Sequence, residues 1–172
     1  MKKLNIVLFT SALLIMLVGI TVPAQQQSKY ELISDKKELK TIVPASFYFA
    51  GLSGLTQRRN SAAAKLGEKR FIVAGLVDVS GYSTDISGVY EGFFITDSPV
   101  KFGRKKLKIG AYGIGFSKAG MAKVFDLSGR MMFQTRTVKD TGLKRPRPLM
   151  MMTDKKGVRL YKGRDYVLIS PR

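Results

Sequence analysis

Phe71-Ile-Val-Ala-Gly-Leu-Val-Asp-Val79 is an almost unbroken apolar run rich in β-branched residues, the pattern of a central strand buried on both faces. Gly81-Tyr82-Ser83 marks a turn after it, and Val89 to Thr96 reads as a second strand ended by Asp97-Ser98-Pro99. Val100 to Phe102 and Lys106 to Ile109 flank a Gly103-Arg104 turn. Met121 to Leu127 and Met131 to Thr137 form a hairpin joined at Ser128-Gly129. Pro146 to Thr153 and Val158 to Tyr161 are linked by Asp154-Lys155-Lys156-Gly157, and Tyr166 to Ile169 follows a turn at Gly163. The spacing predicts about eight or nine short strands, at most one short helix, and a mainly β fold. An antiparallel β-sandwich or a small β-barrel satisfies it, whereas alternating β-α units do not.

Upstream the signals weaken. Thr41 to Ala50 holds Ile42, Val43, Phe47, Tyr48 and Phe49 and reads as a first strand after Pro44. Ser53 to Leu66 is ambiguous: Ser53 could cap a helix through Ala62-Ala63-Ala64, or the segment could be a loop with one helical turn. Gln25 to Leu39 is polar and without a period, a mobile lead-in. Met1 to Ala24 has the make-up of an export signal: Lys2-Lys3, the mainly apolar run Ile6 to Val22, then Val22-Pro23-Ala24 before Gln25-Gln26-Gln27. The chain thus divides into a signal peptide (1–24), a lead-in (25–40) and one β-domain (41–172). The destination is periplasmic or extracellular, with no transmembrane span once the signal is cleaved. An uncleaved signal would instead tether the domain.

The chain has neither cysteine nor histidine. It therefore has no disulfide, no Ser-His-Asp triad, no imidazole base, and no ordinary zinc, copper, haem or iron–sulfur ligand set. No cofactor is implied. Carboxylate chemistry would rest on Asp78, Glu91 and Asp97, which lie in or beside the central strands.

Lys and Arg number 30 against 12 Asp and Glu, a net charge of +18; without Lys2 and Lys3 the balance is 28 against 12, or +16. Solvated turns account for many of these cations, Gly103-Arg104-Lys105-Lys106 among them. Where they form a face, the partners it would attract are anionic lipid, lipopolysaccharide or an acidic cell-wall polymer. Nucleic acid ranks last, since an exported protein seldom meets it. Nothing in the sequence sets an oligomeric state.

Tyrosines beside arginines could line a groove for a sugar or planar ligand, although tyrosines also pack ordinarily in antiparallel sheets. Tyr82, Tyr90, Tyr112 and Tyr161 are the candidates, with Arg59, Arg159 and Arg164 as cationic partners. Arg145-Pro146-Arg147-Pro148 holds Arg145 and Arg147 on an extended segment that could clamp an anion or block a sheet edge. Met150-Met151-Met152 suits an irregular core or a greasy binding wall. Along Gly110 to Phe116 the two-residue period puts Tyr112, Ile114 and Phe116 on one face and Ala111, Gly113 and Gly115 on the other. That second face is nearly bare and admits another backbone, a bulky side chain or a ligand. Its Gly-x-x-Gly-x-Gly string lies inside a strand with no helix after it, which argues against a nucleotide site.

Several strings resemble those of exported bacterial proteins to which no activity is assigned: Leu76-Val77-Asp78-x-Ser80-Gly81-Tyr82-Ser83, Gly110-Ala111-Tyr112-Gly113-x-Gly115-Phe116, Lys144-Arg145-Pro146-x-Pro148-Leu149 and Arg159-Leu160-Tyr161-x-Gly163-Arg164-x-Tyr166. The resemblance implies export and transfers no catalytic residue. The functional expectation is a non-enzymatic exported β-domain that binds an anionic or amphiphilic envelope component. The alternatives are a carboxylate-dependent enzyme on an envelope polymer and a structural or accessory subunit.

Overall fold

A computed structural model describes residues 30–67 and 70–172; the expected export signal lies outside the described residues. In chain order the elements begin with β1 (Glu31–Leu32), α1 (Lys36–Ile42), β2 (Ser46–Phe49), β3 (Leu52–Lys65), β4 (Phe71–Val77) and α2 (Thr84–Ser87). Then come β5 (Gly92–Thr96), β6 (Val100–Phe102), β7 (Lys105–Leu107), β8 (Gly110–Ser117), β9 (Met121–Phe125) and β10 (Met131–Arg136). The chain ends with β11 (Val138–Lys139), β12 (Arg147–Asp154), β13 (Gly157–Gly163) and β14 (Asp165–Pro171). Every strand pairing is antiparallel.

Two open sheets form a sandwich-like arrangement, and neither closes into a barrel. The first runs β1-β3-β4-β5-β8-β9-β10, with β2 on β3; the second runs β12-β13-β14-β6-β7, with β11 on β14. Between them lies a core of Ile72, Ala74, Leu76, Phe94, Tyr112 and Ile114 from the first sheet, facing Phe102, Leu149, Val158, Leu160 and Ile169 from the second. The other face of the first sheet is also covered. Val73, Val77 and Phe93 meet Phe47, Phe49, Tyr82 and Tyr90 in a second, outer core. This accounts for the unbroken apolar run of β4: alternate residues enter opposite cores, so neither face keeps a polar set.

Close approach builds the outer core. Phe49 stacks on Tyr90 with ring centroids 3.9 Å apart, and its ring covers Gly113. The backbone carbonyl of Val89 covers Gly115. The bare face expected at Ala111, Gly113 and Gly115 is thus occupied by an aromatic side chain and a backbone, not left open for a ligand.

Four local readings change. Ser53 to Leu66, ambiguous between helix and loop, lies almost wholly within the 14-residue strand β3. Ala63 enters the outer core and Ala64 the inter-sheet core, so pairing with β1 and β4 overrides the helix preference of alanine. From Tyr30 onward the lead-in carries β1 and most of α1, giving two short helices rather than one among the described residues; Asp35 caps α1 by accepting from the Lys37 N–H at 2.8 Å. Ile42 and Val43 end that helix instead of opening a strand. Likewise Val89 and Tyr90 follow α2, and the second central strand starts at Gly92.

Candidate functional site

The candidate site follows from an irregularity in β3. Its pairing with β4 shifts register between Gln57 and Ser61, where the Gln57 side chain accepts from the Asn60 amide and the Gln57 carbonyl accepts from the Ser61 hydroxyl. The extra residues bulge and leave Arg58 and Arg59 exposed. Beside the bulge sits α1, which packs Leu39 and Ile42 toward the outer core and carries Lys36 and Lys40 one turn apart on one flank. From the second sheet β12 brings Arg147, with Leu149 and Met151 turned inward.

These three elements enclose a groove of 580 Å³. Its apolar wall comes from Ile33, Leu39, Val43, Ala63, Leu149 and Met151, and its rim from Lys36, Lys40, Arg58, Arg59 and Arg147. Among the described residues, no carboxylate lines it. Among the described residues, none of the five cations is in a salt bridge. The arrangement offers an apolar slot under an unneutralised positive edge, to which guanidinium groups add a planar fork suited to phosphate or carboxylate.

Of the residues singled out in the sequence, Arg59 and Arg147 meet at this groove, while Arg145 is exposed on the approach to β12. The tyrosines do not form one aromatic wall. Tyr82 and Tyr90 sit together in the outer core, rings 5.4 Å apart, and the Tyr82 hydroxyl donates to the Leu52 carbonyl at 3.1 Å. Burial pushes the Tyr90 phenol well above its ordinary range, with the Tyr82 hydroxyl adding to the shift. Tyr112 lies on the opposite side of the first sheet, in the inter-sheet core, donating to the Lys108 carbonyl at 3.0 Å.

Arg159, Tyr161 and Arg164 gather around β13 and β14. The Tyr161 hydroxyl donates to Asp140 at 2.8 Å, and Arg159 pairs with Asp154 at 2.6 Å while lying over the Tyr166 ring, 4.7 Å from its centroid. Arg164 donates to the Leu143 carbonyl. These cations are engaged by the fold's own acceptors.

The three carboxylates are likewise tied to structure. Asp78 accepts from the Ser80 N–H at 3.0 Å, which holds its carboxyl below the usual range. Glu91 accepts from the Phe116 N–H at 2.9 Å and from Lys162 at 2.6 Å, joining the two sheets. Asp97 accepts from the Phe71 N–H at 2.8 Å at the far end of β5, six residues or about 20 Å of strand from Glu91.

Sequence reasoning missed Lys36, Lys40 and Leu39, because a seven-residue helix carries too few apolar positions to show a period. The available signal was Asp35-x-x-Glu38, a helix-start pattern directly before them. No family model, curated protein or solved structure matches the chain.

Proposed function

We propose that this protein is an exported, non-enzymatic β-domain that binds an anionic amphiphile of the cell envelope in the groove between α1, β3 and β12. The observation that carries this reading is the pairing of an apolar wall with five rim cations and, among the described residues, no lining carboxylate. An acyl chain fits the wall, and a phosphate or carboxylate head fits the rim. The groove volume of 580 Å³ falls within the range of about 300–1,000 Å³ usual for small-molecule sites.

The test compares dodecyl phosphate, kept below its micelle concentration, with uncharged dodecanol on the full chain by calorimetry. Dodecyl phosphate should bind the more tightly, and the double substitution Arg59→Ser with Arg147→Ser should weaken it about tenfold or more. Added salt should weaken the phosphate and spare the alcohol. Equal affinity for the two amphiphiles, or indifference to the double substitution, would remove the reading.

A further inference from the structure

Among the described residues, nine large hydrophobic side chains are exposed, and six of them belong to two hairpins. Tyr48, Leu52 and Leu55 lie on β2–β3; Leu127, Met131 and Met132 lie in or beside the β9–β10 turn. The two hairpin ends touch: the Ala50 N–H donates to the Leu127 carbonyl at 2.9 Å, and Phe49 meets Phe125 edge-on at 6.0 Å.

Backbone geometry turns Tyr48, Leu55, Met131 and Met132 outward, whereas Leu52, opposite Phe49, is exposed only at the hairpin end. In the β2–β3 ladder Tyr48 faces Ser53 and Leu55 faces Ser46, so Tyr48 and Leu55 share the face opposite the buried Phe47 and Phe49. They are 57% and 69% exposed. On β10 the register shifts between Met131 and Phe133, and this bulge leaves both Met131 and Met132 exposed. Isolated exposed apolar residues need no explanation, but a cluster spanning two joined hairpins does.

We infer that this end of the molecule docks on the surface of an anionic lipid bilayer. The apolar side chains would enter the interface while cations at the border meet the headgroups. Arg58 and Arg59 follow Leu55 on the same strand and, among the described residues, neither is in a salt bridge, whereas Arg130 in the β9–β10 turn is paired with Asp126 and adds no net charge. Of the carboxylates beside the patch, Asp126 is neutralised by an ion pair and Asp78 keeps its charge. Asp78 is held by the Ser80 N–H, and Asp126 accepts from the Ser128 and Arg130 N–H groups and pairs with the Arg130 side chain at 3.0 Å. With a chain charge of +18, charge complementarity selects an anionic bilayer over an uncharged one. Arg58 and Arg59 also rim the groove, so docking here brings its mouth toward the leaflet. The inference rests on the reading that the chain meets anionic amphiphiles, but not on their occupying the groove.

The chain contains no tryptophan, so a single introduced one reports only on its own site. Leu55→Trp in the full chain is mixed with phosphatidylcholine vesicles with and without phosphatidylglycerol, some carrying brominated acyl chains. Val138→Trp, exposed on β11 of the second sheet and beyond the end of β10 opposite the β9–β10 turn, serves as the reference. The expected result is a blue shift and bromine quenching at position 55 that require phosphatidylglycerol, are absent at position 138, and are lost when Tyr48 and Met131 are changed to Ser. Equal responses at the two positions, or none at position 55, would overturn the inference. So would a blue shift without lipid that grows with protein concentration, which would mark a contact between copies. A response at position 55 without dodecyl phosphate binding would overturn the groove reading alone, and the reverse outcome would overturn docking alone.

Discussion

A methyl group added at Gly115 would overlap the backbone carbonyl of Val89, and one added at Gly113 would overlap the Phe49 ring. Neither neighbour can yield easily. Val89 lies in the helical turn after α2, its N–H bonded to the Ile86 carbonyl at 3.0 Å, and Phe49 is clamped between Gly113 and Tyr90. Gly115→Ala and Gly113→Ala should each cost about 1–3 kcal/mol, the range for overpacking a filled core. Gly81→Ala, where nothing stands within 4 Å of the added carbon, should stay within about 0.5 kcal/mol of wild type. Urea unfolding measures all three; a Gly115→Ala midpoint equal to that of Gly81→Ala would refute the packing account. The small side chains at 111, 113 and 115 were legible from the two-residue period. What fills the space was not, because Phe49 arrives from a distant strand and Val89 from a helical turn, and no local pattern encodes either meeting.

At the scale of elements, hairpins with long apolar arms and Gly or Asp turns could be read directly, as β9–β10, β12–β13 and β13–β14 were. β3 could not. Its Ser61-Ala62-Ala63-Ala64 stretch has helix-forming composition, and only pairing to neighbours on both edges makes it a strand. The groove inherits that difficulty, since its cations come from a bulge, a seven-residue helix and a strand far along the chain. The β12–β13 turn makes a prediction of its own. Asp154 accepts from the Lys156 N–H at 3.0 Å and pairs with Arg159, and these hold its carboxyl below the usual range despite partial burial. A depressed folded pKa contributes stability that is present above the unfolded value of about 4 and is lost as pH falls through the folded one. Asp154→Asn should therefore be less stable than wild type at about pH 6, and the gap should close by about pH 2. Urea midpoints across that range check it; a gap unaffected by pH would show that the carboxylate charge contributes nothing.

Over the whole molecule, the first sheet is shared between two cores, and adjacent residues such as Phe93 and Phe94 or Val73 and Ala74 belong to different ones. The sandwich-like β class was legible because turn signals recur at short intervals. The outer core was not, because its covering elements, α1, β2 and the Tyr82–Tyr90 segment, are short and mixed in polarity. A sheet shared in this way cannot lose one core and keep the other intact, so the domain should unfold in a single transition. Alkaline pH tests this linkage. Burial raises the phenol pKa of Tyr90 and Tyr82 in the outer core and of Tyr112 in the inter-sheet core. A folded pKa above the unfolded value of about 10 contributes stability that is complete below about pH 10 and is lost as pH rises toward the folded value. The wild-type urea midpoint should hold to about pH 9 and fall beyond about pH 10, with near- and far-ultraviolet circular dichroism coinciding throughout. Tyr90→Phe removes the phenol with the largest shift, so its midpoint should fall less steeply over the same interval. Equal slopes for the two proteins would show that Tyr90 ionises as readily folded as unfolded. Separate transitions at the two wavelengths would show that the cores come apart independently, which a sheet carrying alternate residues into both does not permit.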